Sequence, residues 1–149
     1  MKKLTLSFAL TTALGFSSPL MAAGAAQNIH VYKSPTCGCC SDWIKHMEEN
    51  GFEVTATDTD NMGQIKADAG LLPGLGSCHT AFVGGYVIEG HVPADDVKRL
   101  LSEAPRATGL SVPGMPIGSP GMEAGDRMDH YKVILFNDLG QTRVFAEHN

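Results

Sequence analysis

Ile29-His30-Val31-Tyr32-Lys33-Ser34-Pro35-Thr36-Cys37-Gly38-Cys39-Cys40 runs from a short β-prone segment, through a Ser-Pro turn, into three cysteines. Beyond it, Ile44 and Met47 fall on one side and Asp42, Lys45, Glu48 and Glu49 on the other, which predicts an amphipathic helix over 39–50. Gly51 stands at the C′ position of that helix, and Phe52 can pack back on Met47 in a Schellman motif. The cysteines therefore sit where a strand hands over to a helix.

Working outward, Phe52, Val54 and Ala56 alternate with Glu53, Thr55 and Thr57, the period of a second strand. Asn61 with Gln64 reads as a capping box opening a short helix to about residue 69. The loop Leu71-Leu72-Pro73-Gly74-Leu75-Gly76 leads to Cys78. Residues 80–83 and 86–89 flank Gly84-Gly85, a hairpin signal, and Pro93 suits the first turn of a helix over 94–102. The order β-α-β-α-β-β-α predicts the α/β class: a small mixed sheet with flanking helices, thioredoxin- or glutaredoxin-like, over residues 28–103. Residues 104–149 read as an extension that packs on this core. Its stretch 109–125 is rich in glycine and proline and is expected to lack regular structure, with Met115 and Met122 inside it. Residues 131–136 and 142–145 then read as a closing hairpin.

Ahead of the domain, Lys2 and Lys3, the apolar run 4–16 and the small residues around Ala22-Ala23-Gly24-Ala25-Ala26 follow the grammar of a secretory signal peptide over residues 1–23. The apolar run falls short of the roughly 20 residues a membrane span requires, so no stable membrane insertion is expected. Losing Lys2 and Lys3 would take the formal charge from −5 to −7. No basic stripe exists, which argues against nucleic acid as a partner. The expected location is the periplasm.

In such an oxidising compartment cysteines usually pair. Three of the four here lie within four residues, and a loop so short restrains little of the unfolded chain. Chemistry explains them better than stapling. Cys37 and Cys40 form a Cys-x-x-Cys pair at a helix N-terminus, where the helix dipole favours a thiolate. They are the candidate catalytic pair of a thiol-disulfide oxidoreductase. Cys39 adds a third thiol that such an enzyme does not need but a soft-metal site would use. Cys78 precedes the third strand, on the loop that in this fold faces the first helix N-terminus. Thiolates favour Cu(I), zinc or iron–sulfur centres, and an all-cysteine zinc site usually draws two Cys-x-x-Cys knuckles rather than one. A Cu(I) site, possible in multinuclear form, leads, and a redox dithiol stands as the alternative.

Weaker candidates surround these. His79, next to Cys78, reads equally as a metal ligand or a donor that supports one, and as a hydrogen-bonded loop residue. His91 reads as a turn residue, and His30 and His46 as surface positions on strand and helix. Met115 and Met122 offer thioethers, although methionine in an apolar loop is more often a gap filler. Trp43, one turn beyond Cys40, is expected to pack beside the site.

Several segments together carry a resemblance. They are residues 32–40 with Trp43, Ser77-Cys78-His79-Thr80, Gly90-His91-Val92-Pro93, and Val112-Pro113-Gly114-Met115-Pro116-Ile117-Gly118-Ser119-Pro120-Gly121-Met122-Glu123. In this combination the chain resembles the CopG-type family of periplasmic copper-resistance proteins, long catalogued as a domain of unknown function. The resemblance implies a thioredoxin-like fold, copper bound by Cys37, Cys39, Cys40 and Cys78, and redox handling of Cu(I) and Cu(II). Copper ions, and another periplasmic copper protein, are the partners it implies. Glutaredoxins carry Thr-Val-Pro, with a cis proline, where Ser77-Cys78-His79 stands here. A cis peptide at a non-proline costs about 2.5–4 kcal/mol. The substitution thus exchanges a docking loop for a thiol.

Overall fold

Strand β1 (Gln27–Lys33) and strand β2 (Phe52–Asp58) lie parallel, with Ile29 beside Val54 and Val31 beside Ala56, joined through helix α1 (Gly38–Glu49). A computed structural model describes residues 27–149. The expected signal peptide lies outside those residues. Helix α1 buries Cys40, Trp43 and Met47 against the sheet. It ends as expected, with Gly51 at φ +87° donating its N–H to the Glu48 carbonyl at 3.0 Å.

Helix α2 (Met62–Asp68) follows, without the capping box expected at its start. The Asn61 side chain makes no cap. Its N–H instead donates to Thr59 Oγ1 at 3.0 Å, while Gln64 reaches forward to Asp68. A serine/threonine-type turn won the competition for that donor.

Strand β3 (Thr80–Val83) pairs antiparallel with β1 and with strand β4 (Tyr86–Glu89). Gly84 and Gly85 take φ +56° and +85°, the two positive values a tight hairpin of this kind demands. Pro93 then occupies the N-cap of helix α3 (Ala94–Glu103), one residue before the first turn.

The expectation that residues 109–125 lack regular structure is corrected at their start. Gly109–Ser111 form strand β5, parallel to β4 and antiparallel to strand β6 (Tyr131–Phe136), which pairs in turn with strand β7 (Thr142–His148). The reason for glycine at 109 is close approach, since a Cβ there would stand 1.8 Å from the Val87 carbonyl oxygen. Through β5 the sheet runs unbroken as β2-β1-β3-β4-β5-β6-β7. One apolar core crosses it, from Ile29, Val31 and Trp43 to Leu110, Val133 and Phe145. The molecule is therefore a mixed α/β fold of seven strands and three helices among the described residues. No helix among them is long and apolar enough to cross a membrane.

Candidate metal centre

Cys37 is the N-cap of α1, held by a turn in which its N–H donates to the Ser34 carbonyl at 3.1 Å. Cys40 lies one turn on, fully buried, and is joined to Cys37 by a disulfide with Cα atoms 5.4 Å apart. Cys37 and Cys39 are half-buried, with their sulfurs 3.5 Å apart. No acidic residue occupies the first turn of α1 to oppose negative charge there. The free N–H groups of the helix end favour thiolates at this point.

Cys78 comes from the opposite side, and a buried carboxylate fixes its loop. Glu89 at the end of β4 accepts the Ser77 N–H at 2.6 Å and the Thr80 hydroxyl at 2.7 Å, and pairs with Lys66 Nζ from α2. Lys66 also donates to Thr80 Oγ1 at 3.0 Å. Residues on both sides of Cys78 are thus tied to one fully buried anion. The outcome is convergence: the sulfurs of Cys37, Cys39, Cys40 and Cys78 all lie within 4.8 Å of one another. Burial, and after it the neighbouring Cys39, pushes the Cys78 thiol up to about 11.

Two histidines complete the surroundings. His91, expected as a turn residue, does lie in a bend just after β4, but it is fully buried, with Nε2 3.0 Å from Cys78 Sγ and Nδ1 2.8 Å from the Pro120 carbonyl. A carbonyl only accepts, so Nδ1 carries the proton and Nε2 turns its lone pair to the sulfur. His79 is buried as well, with Nδ1 3.4 Å from Cys78 Sγ and its ring 4.4 Å from the Trp43 ring. Its Nε2 is buried and has no hydrogen-bond partner. Leaving such a group unmet costs about 1–3 kcal/mol. Burial holds both imidazoles below the usual histidine range, His79 well below it, so both are neutral.

Trp43 packs beside the site as expected, against the His79 ring, with its indole N–H donating to the Val92 carbonyl at 2.9 Å. His30 and His46 are partly buried, and each makes a structural contact: Nε2 of His30 meets Thr57 Oγ1, and Nε2 of His46 accepts the Ala94 N–H at the start of α3. The glycine-rich loop closes over the centre. At Gly121, φ +82°, a Cβ would lie 2.7 Å from the Trp43 backbone nitrogen and 2.9 Å from the Cys39 carbonyl oxygen. Only a residue without a side chain lets the loop lie on the first turn of α1. Ser77 Oγ donates to the Gly114 carbonyl, and Gly114 N–H to Gly76 at 3.0 Å, tying the same loop to the Cys78 side. Met115 is exposed and Met122 half-buried.

His91 had a signal in the sequence that isolated reading passes over. A two-residue Gly84-Gly85 turn sets the pairing Thr80 with Glu89, and two steps further out the same register brings Cys78 opposite His91. Gly90 N–H bonding to the His79 carbonyl at 3.0 Å continues that ladder.

A mixed α/β sheet carrying four converging sulfurs, two buried neutral imidazoles and no acidic residue in the first turn of α1 defines a small thiol-rich protein suited to a soft metal ion. A family described as a protein of unknown function, DUF411, matches residues 75–122, the span from the Cys78 loop through His91 to Met122. Two solved structures are similar over most of the chain. Both are titled copper resistance protein copG, in form 2 and form 1, at 47% identity, covering 83% of this chain and 99% and 98% of theirs, with TM-scores of 0.80 and 0.79. No curated protein matches. The chain belongs to the CopG-type copper-resistance family.

Proposed function

We propose that this is a periplasmic protein of copper resistance that binds Cu(I) through Cys37, Cys39, Cys40 and Cys78. The observation that carries this reading is the meeting of four sulfurs from two separate loops within 4.8 Å. Four thiolates are a soft donor set, and three of them leave the N-cap and first turn of one helix, which suits bridging of more than one ion. In the form described here Cys37 and Cys40 are bonded to each other, so two electrons and two protons must open that disulfide before all four can bind. Bound copper then replaces the Cys78 proton, and affinity is expected to weaken as pH falls.

Competition with a calibrated Cu(I) chelator tests the assignment on reduced protein. Preference for Cu(I) over Zn(II) is expected. Binding no tighter than that of a variant with all four cysteines changed to serine would count against it. A second prediction concerns export: the mature protein begins between Ala23 and Gln27 and is recovered in the periplasmic fraction. Intact-mass measurement that finds Met1 to Met21 retained would contradict this.

The oxidoreductase reading has its own support in the Cys37–Cys40 disulfide at a helix N-terminus. Cys37 is partly exposed and Cys40 fully buried, which makes Cys37 the attacking thiol and Cys40 the one that closes the disulfide behind it. Redox cycling of copper would join the two readings, the Cys37–Cys40 dithiol giving one electron to each of two Cu(II) ions and releasing two protons as it closes to the disulfide.

A further inference from the structure

We propose that the cleft at the C-terminal end of α3, between Arg106 and Arg143, binds a phosphate group. The site stands apart from the metal centre. Helix α3 begins beside that centre, where His46 meets the Ala94 N–H, and its ten residues carry the chain about 15 Å away.

Charge singles the cleft out. The chain has a formal net charge of −5, and every described lysine, together with Arg99, has an acidic partner. Arg106, Arg127 and Arg143 have none among the described residues. Two of these three come together. Arg106, from the loop after α3, and Arg143, from β7, line one cleft of about 180 Å³ over Leu135 and Phe136. No carboxylate among the described residues lines it. Glu103 at the end of α3 faces Arg99 at 3.8 Å, and Asp138 lines the neighbouring groove instead. The α3 C-terminus brings about half a negative charge, against two full positive charges on the guanidinia.

The rest of the polar rim consists of donors. Asn137 Oδ1 accepts the N–H groups of Leu139 and Gln141, at 3.1 and 3.0 Å, so its amide nitrogen is left to donate, and it does so to Gln141 Oε1 at 2.8 Å. That bond uses the Gln141 oxygen and leaves its Nε2 as a free donor. Gln141 and Thr142 both line the cleft. Two guanidinium forks, an amide N–H and a hydroxyl therefore meet there from the loop after α3, the hairpin turn and β7. A carboxylate offers two oxygens in one plane. A phosphate offers more, set tetrahedrally and with a second charge, which matches this donor set better. The volume, several times that of a water molecule, takes phosphate free or as a monoester.

Titration calorimetry of inorganic phosphate into the full mature protein, at low ionic strength and without added metal, tests the site. Saturable one-to-one binding with a Kd of about 1 mM or tighter, weakening as salt is added, is expected. Arg106→Gln and Arg143→Gln should each weaken it by about tenfold or more, the loss that one charge-assisted hydrogen bond implies. Gln141→Glu keeps the acceptor for Asn137 but sets a carboxylate in the cleft, so binding should vanish while the melting temperature holds. Arg127→Gln removes an arginine outside the cleft and should leave affinity unchanged. Glycerol phosphate separates the two sources: affinity within about tenfold of inorganic phosphate assigns the cleft to an ester, and anything weaker assigns it to the free ion. No saturable binding up to about 10 mM, unchanged affinity in either cleft arginine variant, or an equal loss in Arg127→Gln would overturn the site.

Discussion

Cys78→Ser is expected to lower Cu(I) affinity by about 100-fold or more, roughly 3 kcal/mol, while disulfide reductase turnover on insulin stays within about threefold of the parent. The contrast follows from position. Cys37 and Cys40 share one helix end and exchange a disulfide between themselves. Cys78 belongs to another loop, anchored by Glu89, and reaches the cluster from the far side. Serine preserves a hydroxyl that can still donate to His91 Nε2, so the packing around the site survives the change. What goes is a soft ligand. Full copper stoichiometry together with abolished turnover would make Cys78 a redox partner and favour the oxidoreductase reading.

The second large effect lies in the anchor of that loop. Lys66→Met is expected to destabilise the protein by about 3–5 kcal/mol, because it leaves the fully buried Glu89 carboxylate without its countercharge. Denaturant unfolding measures it directly. Pairing it with Glu89→Met should recover part of the loss, since removing both charges removes the desolvation cost as well. Recovery stays incomplete because the Ser77 N–H and Thr80 hydroxyl lose their acceptor. A single variant that loses less than about 1 kcal/mol would mean water reaches Glu89 and that the ion pair does not fix the Cys78 loop.

How far the sequence led is clear from these same residues. Local patterns carried the first half. The alternation of Phe52, Val54 and Ala56, the Gly51 terminus and the Gly84-Gly85 turn each act over a few neighbours, and β2, α1 and the β3–β4 hairpin lie where those signals put them. Strand β5 was not legible, because its three residues are too few for a period and Gly109 is explained only by the distant Val87 carbonyl. Glu89 reads locally as a charged strand end. It is buried because Lys66, 23 residues earlier, comes to meet it. His91 is the instructive case: its own neighbours say turn, whereas the hairpin register places it across from Cys78.

The central claim is that the cysteine cluster binds copper in the cell. Metal analysis of protein purified from the periplasm of copper-replete cells, under anaerobic conditions, addresses it most directly. At least one copper per chain, with zinc at trace levels and copper absent from the variant lacking all four cysteines, is the predicted result. Protein that carries stoichiometric zinc, or no metal at all, would contradict the account.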